Sequence, residues 1–218
     1  MDYDCFMATL LDTREAPQHI VVTGVSWSYY EKTLEEIGNQ SIRVAFLDGV
    51  MELISPLPEH DAAKTAIGDL IAALATACRI PRKSFGSTTF RSEKKSAGSE
   101  PDECFYFNDL DAVKGMKRFD PLVHRPPDLW IEVDHLSPSV AREPIHARLG
   151  VPEVWRYSGA CLTVRLLTAQ GVYTDSSTSR VFPFLPMDGF ASFIPRMIDA
   201  DETAVLLDFQ QWLGELRR

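Results

Sequence analysis

The stretch Pro127-Asp128-Leu129-Trp130-Ile131-Glu132-Val133-Asp134 predicts a central β-strand that carries acidic residues, and it decides the fold class. Because successive side chains of a strand point to opposite faces, Glu132 and Asp134 share one face with Trp130. A carboxylate within an apolar strand is costly unless it is paired or bound to a cation. We therefore expect Glu132 to lie on the wet face of an edge strand, to pair with an arginine, or to bind a cation.

A second predicted strand lies within Glu100–Phe107 and opens with the same Pro-Asp pair, here Pro101-Asp102. If the two strands are neighbours, the carboxylates of Asp102 and Glu132 lie about 5 Å apart. Two carboxylates, a main-chain carbonyl and water molecules form a usual Mg²⁺ site, because Mg²⁺ keeps much of its own water. Such a site can hydrolyse a phosphodiester. The pattern thus indicates that both acids can converge on one hard cation.

Hydrophobic periodicity and turn signals place further elements on both sides of these strands. Apolar residues at helical spacing predict a helix over residues 59–78, and Asp48-Gly49 between two apolar runs predicts a β-hairpin. Shorter patterns predict, in chain order, a helix after Ser26 or Ser28, strands at 85–90 and 103–107, a helix at 139–149, strands at 152–157 and 162–167, and a helix at 201–216. Because helices and strands are interspersed, we predict an α/β or α+β fold with a mixed central sheet flanked by helices.

The composition is typical of one globular domain. The chain has 218 residues, of which 45% are hydrophobic and 24% are charged. We expect residues 1–24 to form a loop-like N-terminal arm and residues 25–218 to form a single domain. No apolar run approaches the roughly 18–20 residues that span a bilayer, and the acidic N-terminus is unlike a signal peptide. We therefore expect a cytoplasmic protein that does not contact a membrane.

The charge limits how the protein can bind nucleic acid. A net charge of −9 and a pI of about 5.0 argue against sequence-independent coating of nucleic acid, although a local basic groove is compatible with them. One group of basic residues forms either such a nucleic-acid-binding groove or a solvated loop. Its members are Arg82, Lys83, Arg91, Lys94 and Lys95, and a second basic stretch lies within residues 114–125.

Several short motifs follow one another in a distinctive order, and Gly150-Val151-Pro152-Glu153-Val154-Trp155 is the most specific of them. The motifs before it are Val25-Ser26-Trp27, Phe46-Leu47-Asp48-Gly49, Ser55-Pro56, His60, Pro101-Asp102, the acidic strand from Pro127, and Ser137-Pro138-Ser139. Together they resemble the Uma-type restriction endonuclease family of the PD-(D/E)XK nuclease superfamily, over roughly residues 25–185. The resemblance implies a core in which a helix precedes three strands, a second helix and a further strand. It also implies DNA cleavage that depends on Mg²⁺ or Mn²⁺.

The same resemblance implies roles for individual residues. Asp102 and Glu132 match the two acids of the motif, and the main-chain carbonyl of Val133 is a further metal ligand. Near the start of the long helix, Glu59, His60 or Asp61 adds a ligand or positions water. Because a DNA duplex has two strands to cut, the resemblance also supports a homodimer.

One position departs from the family pattern. The lysine of the motif belongs two residues after Glu132, where this chain has Asp134. The matching position on the next helix holds Arg142, which can stabilise an anionic transition state but has a pKa too high to remove a proton. Lys64 on the long helix can substitute if it faces inward. Asp134 and Asp128 are additional ligand candidates, and Asp128 alternatively braces the start of its strand.

Three functions follow from these observations. The leading one is a Mg²⁺-dependent DNA endonuclease in which Asp102 and Glu132 hold the metal and Arg142, Lys64 or His60 assists. The second is a nuclease-fold module without turnover, which binds nucleic acid or a protein partner. The third is an unrelated metal hydrolase acting on a small molecule, which a narrow acidic pocket without a basic rim would favour.

Overall fold

The computed structural model of the chain describes five segments, namely residues 19–38, 40–55, 58–134, 142–159 and 161–216. Within them, only the main chain is described for His19 and for residues 58–60. Residues 1–18 of the predicted N-terminal arm and the motif Ser137-Pro138-Ser139 lie outside the described residues.

The described residues form eleven strands and six α-helices, which alternate along the chain. In chain order they are β1 (His19–Thr23), α1 (Trp27–Ile37), β2 (Arg43–Leu47), β3 (Val50–Ile54), α2 (Pro58–Ala77), β4 (Lys83–Ser84), β5 (Phe90–Ser92), β6 (Ala97–Ser99), β7 (Glu103–Tyr106), β8 (Leu129–Asp134), α3 (Arg142–Leu149), β9 (Glu153–Ser158), β10 (Cys161–Leu167), β11 (Tyr173–Ser176), α4 (Met187–Ala191), α5 (Phe193–Asp199) and α6 (Glu202–Leu216). The strands form two sheets, so the α+β prediction is confirmed.

The acidic strand β8 lies inside the larger sheet, which we call the central sheet. Its strand order is β11-β10-β9-β8-β7-β4. β8 runs antiparallel to β7 and parallel to β9, so the sheet is mixed. Parallel neighbours need a crossover connection, and α3 lies in the connection from β8 to β9. The implied core order of a long helix, strands, a second helix and a further strand is therefore present from α2 to β9.

The largest hydrophobic core lies on one face of the central sheet. Leu129, Ile131 and Val133 of β8 point into it, as the alternation predicts. The long helix α2 packs against this face with the apolar residues that the helical spacing indicates: Ala63, Ile67, Leu70, Ile71 and Leu74. Helices α4, α5 and α6 close the same core. Burial of this apolar surface is the main favourable term in the stability of the fold.

The second sheet is antiparallel and has the strand order β1-β3-β2-β6-β5. Its hairpin β2–β3 turns at Asp48 and Gly49, whose φ angles of 48° and 83° are the positive values that a tight two-residue hairpin turn requires. The Asp-Gly prediction is thus confirmed. Helix α1, capped by Ser26, stacks its buried Tyr30 on Phe46 with ring centroids 4.9 Å apart.

Helix α3 lies between the two sheets and joins them. Its Ile145 and Leu149 share a buried cluster with Trp130 of the central sheet and Ala45 of the second sheet. The face of β8 that carries Trp130 and Glu132 is therefore covered by α3 and the second sheet, and it is not open to solvent as an edge strand would be. This arrangement positions the candidate site between the sheets.

Two predicted elements differ from the structure. The expected strand at residues 85–90 is wrong: β4 ends at Ser84, and the chain turns at Gly86, which has a φ of 56°, before β5 begins at Phe90. The hydroxyl of Thr88 donates to the Phe85 carbonyl at 2.8 Å and closes the turn. At the other end of the chain, the β-branched residues of β1, expected to be loop-like, pair with β3 as a strand.

None of the helices in the described segments combines the length and the apolar character that crossing a membrane requires.

We predict that Gly98→Ala destabilises the protein, because the new Cβ would lie 2.3 Å from the Tyr30 hydroxyl oxygen. The ring of Tyr30 cannot retreat easily, since it packs between Trp27 and Phe46. Overpacking of this kind costs about 1–3 kcal/mol, which for a chain of this size lowers Tm by roughly 2–4 °C per kcal/mol. Calorimetric melting measures the change.

Gly68→Ala is the matched control, because a Cβ at that position in α2 meets nothing within 4 Å. A glycine inside a helix is about 0.5–1 kcal/mol less favourable than alanine, so this variant should melt at or above the wild-type temperature. Equal melting temperatures for Gly98→Ala and the wild type would contradict the close packing of Tyr30 on β6.

Candidate active site

The ladder between β7 and β8 brings two acidic side chains to the same place. Glu103 pairs with Ile131, and the main-chain N–H of Asp102 donates to the Ile131 carbonyl at 3.0 Å. This register sets Asp102 beside Glu132 across adjacent strands. Both side chains lie on the face of the sheet that carries Cys104 and Trp130, opposite the face covered by α2.

Asp102 is buried and held from two directions. Its Oδ2 accepts a hydrogen bond from the main-chain N–H of Val133 at 2.6 Å, and its Oδ1 lies 2.8 Å from Nη1 of Arg43. The same Arg43 nitrogen donates to the Pro101 carbonyl at 2.8 Å. Because Arg43 belongs to β2, this ion pair joins the central sheet to the second sheet. The carboxylate is thereby fixed in orientation.

Glu132 is held by its neighbours on the same face. Its Oε1 accepts a hydrogen bond from the indole nitrogen of Trp130 and lies 3.2 Å from Nε2 of His146. Burial raises the pKa of Glu132, but the hydrogen bond and charge of His146, the charge of Arg142 and the Trp130 N–H outweigh it and hold this pKa below its ordinary value. Glu132 is therefore ionised at neutral pH.

His146 lies in α3, the helix that follows β8 along the chain. The structure places it against Glu132, with 1% of its side chain exposed and its ring 4.7 Å from that of Trp130. It reaches this position because α3 packs between the sheets.

Arg142 pairs with a residue that the sequence analysis did not single out. Its Nη2 lies 3.0 Å from Oε2 of Glu52 in β3, and the Glu52 side chain is fully buried. The available signal was an acid in the centre of the apolar run Val50–Ile54, since a buried carboxylate needs a cation as partner. Glu52 thus anchors the guanidinium of Arg142 near Glu132.

Asp134, at the lysine position of the motif, forms an ion pair with Arg156 of the neighbouring strand β9. Burial raises the pKa of Asp134, the charges of Glu132 and Asp102 raise it further, and Arg156 lowers it, with a net increase. A cavity of about 370 Å³ opens here, and three acids and three arginines line it together with His146: Glu132, Asp134, Glu143, Arg142, Arg156 and Arg165. Because the arginines match the acids in number, it is not the fully acidic pocket that a small-molecule hydrolase would favour.

Other candidate residues lie elsewhere. Lys64 is half-buried on α2, the helix that packs on the face of β8 opposite Glu132. Asp61 is exposed at the start of the same helix, and the side chains of Glu59 and His60 lie outside the described residues. The structure thus does not bring Lys64 together with the two acids.

The five predicted nucleic-acid-binding cations divide between two sheet edges. Arg82 and Lys83 lie at β4, an edge strand of the central sheet, and Arg91 lies in β5, an edge strand of the second sheet. Lys94 and Lys95 are exposed in the short 3₁₀ helix that follows β5. Sequence proximity alone therefore does not make them one surface.

Asp128 directly precedes β8, and its hydrogen bonds and ion pair hold the start of this strand in place. Its Oδ2 accepts hydrogen bonds from the main-chain N–H groups of Phe107 and Asn108 at 2.7 and 3.0 Å, and its Oδ1 lies 2.7 Å from Nη1 of Arg125. Burial raises the pKa of Asp128, but these hydrogen bonds and the charge of Arg125 outweigh it, so the net pKa is lowered. These contacts tie the start of β8 to the end of β7.

The oxygen atoms around Asp102 and Glu132 are of the kind that a hard cation binds, but both carboxylates already contact basic side chains. Two carboxylates and the Val133 carbonyl are ligands that Mg²⁺ accepts while keeping its waters. Each carboxylate nevertheless contacts a basic side chain, Arg43 or His146. Among the described residues, no group of three or more His, Cys, Asp and Glu side chains is arranged to hold a metal ion. An ion at this site would thus compete with the basic side chains of the chain itself.

We predict that Asp128→Asn lowers the free energy of unfolding at neutral pH by about 1–3 kcal/mol, because an amide cannot replace a charged acceptor of these hydrogen bonds. Since folding lowers the pKa of Asp128, its contribution is present above the unfolded-state value of about 3.9 and is lost as pH falls through the folded-state value. The difference from the wild type should therefore be constant above about pH 5 and shrink below it.

Urea unfolding of both proteins between neutral and acidic pH measures this difference. Asp111→Asn, which changes an exposed acid, is the control and should match the wild type throughout. A difference that stays constant into strong acid would show that Asp128 does not stabilise the fold as a carboxylate.

Comparison with known proteins assigns the chain to a family. A solved structure described as a "putative nuclease belonging to DUF820" from Anabaena variabilis is similar, with 17% identity and a TM-score of 0.44 over 75% of this chain and 90% of that one. No curated protein matches the sequence. The profile of the Uma2 family, described as "Putative restriction endonuclease", matches residues 27–193. Since this match covers well over half of the chain, the protein belongs to the Uma2 family of nuclease-like proteins.

Proposed function

We propose that the protein is a metal-dependent DNA endonuclease of the PD-(D/E)XK type, which hydrolyses phosphodiester bonds. The observation that carries this proposal is the register that sets Asp102 beside Glu132, with Arg142 close enough to influence the charge of Glu132. Membership of the Uma2 family supports a nuclease. The adjoining cavity also presents three arginines, each of which pairs with an acid of the chain and has donors that match phosphate oxygens.

In this proposal Asp102, Glu132 and the main-chain carbonyl of Val133 hold Mg²⁺ or Mn²⁺. Such an ion, when bound, stabilises charge on a phosphoryl oxygen and lowers the pKa of a bound water. His146 and Trp130 fix the orientation of Glu132. Asp134, next to the site but paired with Arg156, is a further ligand only if that pair opens.

Arg142 has the role of an electrostatic stabiliser. Its guanidinium is permanently charged, so it cannot remove a proton, but its donors match the oxygens of a phosphate group. Glu52 holds it from the buried side at 3.0 Å, which limits the conformational freedom lost when substrate binds. Glu52 is therefore a positioning residue in this proposal.

A second candidate function is a nuclease-fold module that binds nucleic acid or a protein partner without turnover. The observation that favours it is a set of internal contacts between acidic and basic side chains: Arg43 with Asp102, His146 with Glu132, and Arg142 with Glu52. These contacts occupy the acids within the chain itself. The motif position that carries lysine in the family pattern is Asp134, which is also paired.

We predict that calorimetric titration detects Mg²⁺ or Mn²⁺ binding, and that the same samples nick supercoiled plasmid when the ion is present. Glu132→Gln and Asp102→Asn should each abolish both signals, because each removes one of two charged ligands. Asp111→Asn removes one exposed carboxylate and should change neither. Circular dichroism and the melting temperature establish that each variant folds.

The outcomes separate the two functions. Binding and nicking that are lost together in the site variants support the endonuclease. Ion binding without nicking would favour the module, and binding that survives both substitutions would remove Asp102 and Glu132 from the metal site.

We also propose that the protein acts as a homodimer, because two symmetric sites can cut both strands of a duplex. Sedimentation equilibrium over a hundredfold range of concentration is expected to give twice the chain mass of 24.5 kDa. A single-chain mass at all concentrations, with and without duplex DNA, would contradict the dimer while leaving the metal site untouched.

A further inference from the structure

Another cavity lined by described residues lies outside the candidate active site. It has a volume of about 700 Å³ and opens between the end of α1 and the segments that flank β5. Arg91, Lys117 and Arg118 line it, together with the ring of Phe119 and the hydroxyl side chains of Thr88 and Thr89. Cations for phosphate oxygens, an aromatic ring for a base and hydroxyl groups for polar edges make up the donor set of a nucleotide site.

The charged side chains that line this cavity differ in their exposure to solvent. Lys117 and Arg118 are exposed, so their charges face solvent. Of the acids that line it, Glu100 accepts a hydrogen bond from Thr89 at 2.6 Å, and burial raises its pKa. The exposed charges of the lining are consequently two cations, Lys117 and Arg118, and one acid, Glu35.

The cavity adjoins the candidate active site through one short segment. Glu100, on its wall, is two residues before Asp102, and the Pro101 carbonyl between them accepts a hydrogen bond from Arg43. The charges of Arg43 and Arg142 both act on Glu100. Residues 100–102 therefore connect the wall of the cavity to Asp102 of the candidate active site.

The loop that carries Lys117, Arg118 and Phe119 has an apolar tip. Leu122 is 89% exposed and Val123 is 73% exposed, three and four residues after the cavity-lining Phe119. The turn is organised by Asp120: its side chain accepts from the Leu122 N–H at 2.9 Å, and its carbonyl accepts from the His124 N–H at 2.7 Å. An ordered turn that holds aliphatic side chains in water, beside basic residues, has the form of a wedge that inserts between stacked bases.

We propose that residues 117–125 open a nucleic-acid duplex beside the active site. Leu122 and Val123 insert between base pairs, and the cavity binds an unpaired nucleotide whose phosphates contact Lys117 and Arg118. That the opened strand is then cut rests on the proposed function, whereas the binding and the opening do not.

The test uses a DNA duplex with 2-aminopurine near its centre and no divalent ion, so that nothing is cleaved. Binding of the wild-type protein is expected to raise the fluorescence of 2-aminopurine as the base unstacks. The variant Leu122→Ser with Val123→Ser should bind with an affinity within about threefold of the wild type but lose the fluorescence rise, since stacking contacts are lost while phosphate contacts remain. Leu207→Ser with Val172→Ser changes two other exposed aliphatic residues, 62% and 57% exposed, and should keep the rise.

A second pair of variants tests the cavity. Lys117→Ala with Arg118→Ala should weaken binding about tenfold or more at low salt. The slope of log K against log salt concentration should also fall by the equivalent of about two phosphate contacts. Arg180→Ala with Arg196→Ala removes the same charge from exposed positions elsewhere and should not do so.

Absence of a fluorescence rise with the wild type, or a rise that survives in the Leu122 and Val123 variant, would overturn the proposal. Equal salt dependence in the two arginine-containing variant pairs would also overturn it, because general charge would then explain the binding. If the wild-type protein does not nick plasmid, but the fluorescence rise is lost with Leu122→Ser and Val123→Ser and kept in the control, the proposed function fails and this inference stands. If the wild-type protein nicks plasmid but gives no fluorescence rise, the proposed function stands and this inference fails.

Discussion

The ion pair between Asp102 and Arg43 is the interaction on which the rest of the structure depends. Asp102 belongs to the end of the central sheet where β7 begins, and Arg43 belongs to the second sheet, so their contact at 2.8 Å joins the two layers. The second oxygen of Asp102 holds the main chain of β8 at Val133. Removing one partner of such a buried pair leaves an uncompensated charge, which lowers the free energy of unfolding by roughly 3–5 kcal/mol. The pair therefore sets the spacing of the sheets as well as the position of the acid.

The same physics explains why two functions compete at this site. A buried carboxylate needs a compensating partner, which can be a metal ion, a basic side chain or a set of hydrogen-bond donors such as those around Glu153. Here Asp102, Glu132 and Glu52 each lie against a basic side chain from another element. These contacts stabilise the folded chain by themselves, and they also place positive charge where a phosphate would bind. If a metal ion replaces the basic side chains at these acids, the site can hydrolyse its substrate. If the basic side chains stay in place, the protein binds without turnover.

Several elements could be predicted because their signals are local. The alternation around Glu132, the Asp48-Gly49 turn and the apolar face of α2 all depend on residues close together in the sequence. Residues 85–90 were predicted wrongly, because an apolar start and end resemble a strand, whereas a turn at Gly86 sends the chain from one sheet to the other. The neighbouring positions of Asp102 and Glu132 followed from the shared Pro-Asp opening of two strands. Glu52 and His146 could not be placed, since their partners come from distant elements.

By itself, the sequence determined that β8 has an aliphatic face and an acidic face, and that its acids need cations, because side-chain alternation and the cost of burying a charge are local properties. Only the tertiary structure decided which cations those are. The crossover through α3 brings His146 and Arg142 over the acidic face, and the packing of the second sheet supplies Arg43 and Glu52. Partners separated by many residues are brought together by how layers pack, and that packing depends on the sum of many contacts and not on any one motif.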